Sequence, residues 1–276
     1  MGLAEFLDAC LPGGKAARSV NVSRRHGYVY VTTPKCGCTA VLSALQRLEL
    51  GDPGLHPKRG GTIHARAKSP LPPLGLDEAA AALLDGSLFR FTFVRSPFTR
   101  LLSAYLNKIV RKREQRPQVN ALLGLDPGDM DTHVSFGDFA EAVSRQEPRQ
   151  MDQHWRPLVL QTFACGVEYD FVGRFETFQR DIRAVDARLG GVLGPYLSAE
   201  PFHPTFCGQR MLAYYDDALA ERVAGLYRDD FQAFGYDTDW RALCWRESAR
   251  HLFHPFDPEM DLPDAPADYS TRASAV

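Results

Sequence analysis

The residues whose types and spacing could do chemistry are concentrated in a short segment after a candidate strand. Residues 28–33 read YVYVTT, the β-branched and aromatic types of a buried strand, and the apolar spacing of a helix begins at Val41. The residues between them are Pro34, Lys35, Cys36, Gly37, Cys38, Thr39 and Ala40. Because a helix N-terminus presents unpaired backbone N–H groups and partial positive charge, this unit predicts an anion site, and phosphate is the usual anion. Lys35 adds a full charge and Thr39 a hydroxyl.

The spacing of this loop differs from that of the common ATP-binding loop, in which Lys directly precedes Ser or Thr. Here Lys35 comes first and Gly37 follows two residues later. The order P-K-x-G-x-T after a strand resembles the 5′-phosphosulfate loop of sulfotransferases that use 3′-phosphoadenosine 5′-phosphosulfate (PAPS). The resemblance implies that residues 34–40 bind the donor and that Lys35 also takes part in catalysis. The alternative for such a short match is an ordinary strand-to-helix turn that binds no donor.

A second candidate strand, residues 89–94 (FRFTFV), leads directly into Arg95. Pro97 suits the first turn of a helix, and an apolar stripe from Phe98 to Ile109 continues it, with Ser103 on the polar side. Ligands of an open α/β sheet bind at the carboxyl ends of its strands. We therefore expect Arg95 and the Lys35 loop to lie at the same edge of one sheet.

Residues 95–105 read R-S-P-F-T-R-L-L-S-A-Y. This segment resembles the 3′-phosphate motif of the same sulfotransferases, R-D-P-x-x-R-L-x-S-x-Y, and the resemblance implies that Arg95 and Ser103 hold the 3′-phosphate of the donor. An arginine fork and a serine hydroxyl suit phosphate oxygens. Ser96 stands where the family has Asp. That Asp mostly braces the loop, so we expect a small effect on binding.

A third segment, H-W-x-P … C … Y-D-F-V-G-R-F-E-T over residues 154–177, resembles one branch of sulfotransferase family 2. This branch contains the HNK-1 and chondroitin 4-O carbohydrate sulfotransferases, and the resemblance covers roughly residues 27–237. It implies a carbohydrate hydroxyl as the acceptor and adds Arg174 to the donor-binding residues. Two alternatives stay open: that Arg174 pairs with Glu176, and that Glu176 braces a loop. Thr177 is expected to cap a helix over residues 178–189.

The acceptor hydroxyl must lose a proton during transfer, and His is the side chain best suited to accept it near neutral pH. We predict His64 as the base, because it lies between the two donor motifs, where the family has a similarly placed His. His154 is the rival, because H-W-x-P also matches the family. His56 is the weaker candidate, since it lies in a loop rich in Gly and Pro. The structural alternatives are that His64 braces its loop and that His154 packs beside Trp155.

The composition of the 276 residues, 45% hydrophobic with net charge −2, predicts one globular domain over residues 1–254, followed by a mobile tail over residues 255–276. A net charge of −2 and a pI near 6.4 disfavour a general nucleic-acid binder. Six cysteines, at 10, 36, 38, 165, 207 and 244, are too few for a disulfide framework. Cys36 and Cys38 form a C-x-C pair, but the other cysteines and histidines lack ligand spacing, so no metal site is predicted.

The predicted fold is a three-layer α/β domain with a central parallel sheet of four or five strands, helices on both faces and a helical second half. We expect residues 1–27 to be a lead-in, residues 117–134 a loop, residues 135–145 a helix capped by Ser135, and residues 216–234 one helix. The basic run over residues 108–116 is interpreted as a solvated helix face, with a wall that steers anions as the alternative.

The chain has no charged-then-apolar leader and no apolar run of about 18 residues, so we expect a cytoplasmic protein without a transmembrane segment. Its expected partners are the donor nucleotide and a glycan or glycolipid hydroxyl. Two other functions stay open: an atypical P-loop kinase or NTPase, and a nucleotide-binding protein without catalysis.

Overall fold

The computed structural model describes residues 1–54, 63–65, 69–197 and 207–243. His56, Cys244 and the predicted tail at 255–276 lie outside the described residues. The chain divides into two compact units. Among the described residues, the first unit comprises 1–54, 63–65, 69–96, 147–197 and 229–236, and the second comprises 97–146, 207–228 and 237–243. The single domain expected over residues 1–254 stays a prediction.

The helices are numbered in chain order. They are α1 (Leu3–Cys10), α2 (Lys15–Ser19), α3 (Cys38–Leu50), α4 (Leu76–Leu84), α5 (Pro97–Ala104), α6 (Arg116–Leu122), α7 (Phe136–Ser144), α8 (Leu158–Gln161), α9 (Phe178–Arg188), α10 (Cys207–Tyr214), α11 (Asp217–Leu226) and α12 (Arg228–Phe234). A π-helical segment, Tyr105–Arg111, continues α5, and 3₁₀ turns form at Phe175–Thr177 and Gly194–Tyr196. Within the described residues, no helix is long and apolar enough to span a membrane.

A four-stranded sheet forms the centre of the first unit. Its strands, in spatial order, are β1 (Val20–Ser23), β2 (Tyr28–Val31), β3 (Phe89–Val94) and β4 (Phe171–Arg174). The β2, β3 and β4 strands are parallel, whereas β1 pairs antiparallel with β2. The structure confirms the predicted α/β fold, with β1 as an antiparallel edge strand.

The two faces of this sheet carry alternate residues of each strand, as the period of two requires. Tyr30 and Phe91 pack in one apolar cluster with residues of α3 and α9. Val29 and Val31 pack in another cluster with residues of α1, α2 and α4. Helices therefore cover both faces, and the predicted three layers are confirmed.

The prediction that residues 1–27 are only a lead-in is wrong, because Val20–Ser23 form β1. The apolar pattern of the sequence does not predict this strand, because a buried side chain within it is polar. Asn21 is 2% exposed, and its Nδ2 donates to the Tyr30 carbonyl (3.1 Å) and to Thr32 Oγ1 (2.8 Å). These bonds offset the cost of burying the amide.

The second unit is helical, with α5, α6, α7, α10 and α11 in its described part. The predicted cap of α7 is confirmed, since Ser135 Oγ accepts from Asp138 N at 3.1 Å. The loop predicted over residues 117–134 is wrong, because α6 occupies its start. The single helix predicted over residues 216–234 is interrupted at Tyr227, where α11 ends.

The basic run is engaged in local bonds in the second unit. Lys108 and Lys112 both pair with Glu114. Arg116 is 5% exposed, and its Nε donates to Asn120 Oδ1 at 3.0 Å. Several residues of the run therefore make local contacts within the second unit. Neither the solvated helix face nor the wall that steers anions predicts these contacts.

Gly173→Ala is expected to destabilise the protein. Gly173 lies opposite Phe93 in the register of β3 and β4, and a Cβ at this position would collide with the Phe93 ring. Overpacking of this kind costs about 1–3 kcal/mol of the free energy of unfolding. Urea denaturation measures it. Gly86→Ala is the control, because a Cβ there meets no atom within 4 Å. Equal stability of the two variants would contradict the tight β3–β4 approach.

Candidate functional site

The Lys35 loop begins where β2 ends and is anchored by Thr33. The Thr33 hydroxyl donates to the Phe93 carbonyl of the neighbouring strand. Lys35 (φ 70°) and Gly37 (φ 83°) both adopt the left-handed conformation. Turns that contain left-handed residues direct backbone N–H groups into concavities that bind anions.

The loop ends at the N-terminus of α3, for which Gly37 is the N-cap residue. Glycine has no side-chain acceptor for the first N–H groups of the helix, so an external anion can take that role. Gly37 is also tightly packed, since a Cβ there would lie 2.8 Å from Phe178 Cε2 of α9. The position thus needs glycine for both its backbone conformation and its packing.

Arg95 follows the last residue of β3 and is 3% exposed. Its Nη1 donates to the Lys35 carbonyl at 3.3 Å, and its guanidinium carbon lies 4.1 Å from the centre of the Phe175 ring. The structure therefore places two of the predicted donor-binding segments side by side at one edge of the sheet.

Ser103 belongs to the second unit, where it lies on α5. Every residue of α5 is buried, and Ser103 is 3% exposed. The polar side expected for this helix is thus enclosed rather than solvated. The role of Ser103 in binding the donor stays a prediction.

Arg174, at the end of β4, contacts the C-terminal part of the first unit. Its backbone N donates to Asp181 Oδ2 at 2.8 Å, and its Nη2 donates to the Phe234 carbonyl. Its guanidinium carbon lies 4.6 Å from the centre of the Tyr236 ring. These contacts are structural, and a role of Arg174 toward the donor stays a prediction.

Glu176 contacts the loop after β3. Its Oε1 accepts from Ser96 N at 2.8 Å, and its Oε2 accepts from the Tyr236 hydroxyl at 2.9 Å. These bonds agree with the interpretation of Glu176 as a residue that braces a loop.

His64 is exposed, and its Nε2 lies 3.3 Å from Thr39 Oγ1. The preceding residue is tied to α3, because Gln46 Nε2 donates to the Ile63 carbonyl at 2.9 Å. The predicted base thus lies beside Thr39, in the first turn of α3 directly after the Lys35 loop. Its function as a base stays a prediction.

His154 lies in the segment before α8, next to the fully buried Trp155. Asp152 Oδ1 accepts from His154 N at 2.9 Å and lies 2.5 Å from its Nδ1. A carboxylate on Nδ1 orients the imidazole and favours Nε2 as the proton acceptor. The geometry therefore keeps His154 as the rival base.

The two loop cysteines flank Gly37, with Cys36 fully buried and Cys38 9% exposed. Burial raises the pKa of the Cys38 thiol, and this effect outweighs the opposing charge of Lys35. The thiol therefore stays protonated at neutral pH and is a poor nucleophile. In the part of the chain that the structure describes, no group of three His, Cys, Asp or Glu side chains could hold a metal ion.

Comparison with known proteins identifies the family of this chain. The model of the sulfotransferase family matches residues 18–237. The chain belongs to the sulfotransferase family. The match includes β1, although the sequence pattern predicts a lead-in over residues 1–27.

Relatives of this sulfotransferase-family chain include carbohydrate sulfotransferases from vertebrates. Carbohydrate sulfotransferase 11 of Rattus norvegicus is 30% identical over 248 residues, which cover 78% of this chain and 66% of the relative. Carbohydrate sulfotransferase 14 of Danio rerio is 28% identical over 232 residues, covering 78% and 61%. The Homo sapiens protein of the same name is 36% identical over 103 residues, covering 35% and 27%. The chain thus spans less than two thirds of the length of these relatives. No solved structure matches it.

Two contacts of this site in the sulfotransferase-family chain are not predicted by the sequence patterns. Phe175 lies under the Arg95 guanidinium, and Tyr236 donates to Glu176. The signal for Phe175 was its place in the segment R-F-E-T that follows a strand. No sequence pattern relates Tyr236 to residues 60 positions earlier.

Gly37→Ala is expected to destabilise the protein more than Gly51→Ala does. Both glycines have positive φ and flank the same helix, but a Cβ at Gly51 meets no atom within 4 Å. Both variants therefore carry backbone strain, and only Gly37→Ala adds the contact with Phe178. The contact should cost about 1–3 kcal/mol more in the free energy of unfolding, measured by urea denaturation. Equal destabilisation of the two variants would show that the Phe178 side chain moves aside with no cost in the free energy of unfolding.

Proposed function

We propose that this chain transfers the sulfuryl group of PAPS to a hydroxyl of a carbohydrate. Membership of the sulfotransferase family supports the reaction, and the relatives named carbohydrate sulfotransferases support the class of acceptor. The cytoplasmic location expected from the sequence stays a prediction.

The observation that carries the proposal is the contact between the two anion-binding segments. Arg95 Nη1 donates to the carbonyl of Lys35, so a second cationic group lies beside the Lys35 loop. A donor that carries anionic groups on both ends of a ribose needs two such positive regions close together. The left-handed residues of the loop, the uncapped start of α3 and these two cations fit that need.

Each residue has a chemical task in this proposal. Lys35 and the loop N–H groups stabilise negative charge on the bridging oxygen as its bond to sulfur breaks. A histidine, His64 in our assignment, accepts the proton of the acceptor hydroxyl as the new O–S bond forms. Arg95 holds the 3′-phosphate and so fixes the line of attack. The products are the sulfated hydroxyl and adenosine 3′,5′-bisphosphate.

Two other functions are distinguished by measurement. Tight binding of adenosine 3′,5′-bisphosphate separates a sulfotransferase from an atypical kinase or NTPase. Transfer of label from PAPS to a panel of glycans and glycolipids separates an enzyme from a nucleotide-binding protein without catalysis.

Lys35→Ala and Arg95→Ala should each weaken binding of adenosine 3′,5′-bisphosphate at least about tenfold, because each removes a charge-assisted contact of about 1.5–3 kcal/mol. Isothermal calorimetry on folded variants measures the affinity. Arg95→Lys keeps the charge but loses the planar fork, and we expect an intermediate affinity. Lys15→Ala, on the exposed start of α2, is the control for lost charge. Unchanged affinity in both alanine variants would refute the assignment of the nucleotide site.

His64→Ala should lower turnover at least about a hundredfold, the size of a general-base contribution, with nearly unchanged bisphosphate affinity. Steady-state transfer from PAPS and calorimetry on the same samples separate the two quantities. His133→Ala, which removes an exposed histidine, is the control. If His64→Ala keeps its rate and His154→Ala loses it, the base is His154.

A further inference from the structure

Three consecutive residues, the last of β4 and the two that follow it, each make a specific contact. Arg174 contacts Phe234 and Tyr236, Phe175 contacts Arg95, and Glu176 contacts Ser96 and Tyr236. Asp181 of α9 ties the start of this segment, because its Oδ2 accepts from Arg174 N and from the Thr177 hydroxyl, both at 2.8 Å. All these residues belong to the first unit. The Phe175–Thr177 turn is thus held from both of its ends.

The aromatic ring of Phe175 restrains the Arg95 guanidinium. The guanidinium carbon is 4.1 Å from the ring centre, within the range of a cation–π contact. Arg95 is 3% exposed, so little water screens this attraction. The guanidinium is therefore restrained by two contacts, the hydrogen bond from Nη1 to the Lys35 carbonyl and the contact with the Phe175 ring.

Glu176 fixes the peptide that follows Arg95. One carboxylate oxygen accepts from Ser96 N and the other from the Tyr236 hydroxyl. Burial, and then the nearby charge of Glu176, raise the pKa of the Tyr236 phenol well above its usual range. The phenol is therefore protonated and acts as the donor to Glu176.

The residue at position 96 shows what the bond between Glu176 and the loop after β3 depends on. This chain has Ser96, where the motif that residues 95–105 resemble has Asp. Glu176, in the turn after β4, bonds the backbone N of Ser96 rather than its side chain. The bond therefore does not depend on which side chain occupies position 96.

We propose that Phe175 and Glu176 are positioning residues that hold the Arg95 guanidinium ready for the 3′-phosphate of the nucleotide. This inference rests on the proposed function, since it assumes that Arg95 receives that phosphate. It predicts that both residues govern the preference for a nucleotide that carries a 3′-phosphate, without touching the nucleotide themselves.

The experiment compares two ligands, adenosine 3′,5′-bisphosphate and adenosine 5′-phosphate, by calorimetry on the full chain. Phe175→Leu should weaken binding of the bisphosphate on the order of fivefold and affect binding of the 5′-phosphate less, since the cation–π contact to Arg95 is lost while leucine still fills space beside Gly37. Phe175→Tyr keeps the ring and should restore the affinity. A general disturbance of the fold would weaken both ligands alike.

The matched control is Phe89→Leu. Phe89 lies at the other end of β3, where the Arg188 guanidinium stands 5.9 Å from its ring centre. This variant also removes a phenyl ring near an arginine, but away from the Lys35 loop. It should change neither affinity.

The role of Glu176 is tested by a graded pair of variants. Glu176→Gln retains one acceptor for Ser96 N and one amide donor for the Tyr236 oxygen, and should keep the bisphosphate affinity within about twofold. Glu176→Ala loses both bonds and should lower the affinity as Phe175→Leu does. If Glu176→Ala does not fold, Phe175→Leu and Phe175→Tyr still decide the inference.

A double variant separates positioning from packing. In an Arg95→Ala background, Phe175→Leu should cause no further loss of bisphosphate affinity, because the guanidinium that it positions is absent. Additive losses would overturn the inference.

If the unmodified chain does not prefer the bisphosphate, the proposed function fails. If it does, and Arg95→Ala alone abolishes the preference while Phe175→Leu keeps it, only the positioning role fails.

Discussion

The hydrogen bond from Arg95 to the carbonyl of Lys35 joins the ends of two strands that are far apart in the chain. It requires the two strands to end at the same level, with the Lys35 carbonyl turned toward β3. The left-handed conformation of Lys35 supplies that orientation, and the parallel register of β2 and β3 supplies the level. The rest of the first unit can be understood as the support for this contact.

Side chains at the strand ends reinforce the register. Thr92 Oγ1 donates to the Val31 carbonyl at 2.9 Å, and the Thr33 hydroxyl donates to the Phe93 carbonyl. All four residues are buried, so these bonds are made away from water, where leaving either partner unsatisfied is costly. A shift of β2 against β3 would break both bonds together with the contact between the loops.

Much of this arrangement was predictable from the sequence. The strands β2 and β3 are rich in aromatic and β-branched residues, and each is followed by a break and a helical pattern. Their carboxyl ends and the positions of Lys35 and Arg95 could therefore be assigned from local spacing. The strand β1 and the helix α6 could not. Asn21 and Arg116 are buried polar side chains, and their bonds to Tyr30 and Asn120 exist only in the folded chain. The ring of Phe175 under Arg95 is a third case, because it depends on the register of β4 against β3.

The left-handed backbone of Lys35 also has a consequence for any attempt to make this protein more robust. A residue with a Cβ in that region is disfavoured by about 1–2 kcal/mol, and glycine at the same position would relieve the strain. Glycine would also delete the ammonium group that we propose for binding the donor. In the proposed function, backbone stability and ligand recognition therefore require different residues at position 35, and selection for heat resistance alone would favour a variant that we expect to be inactive.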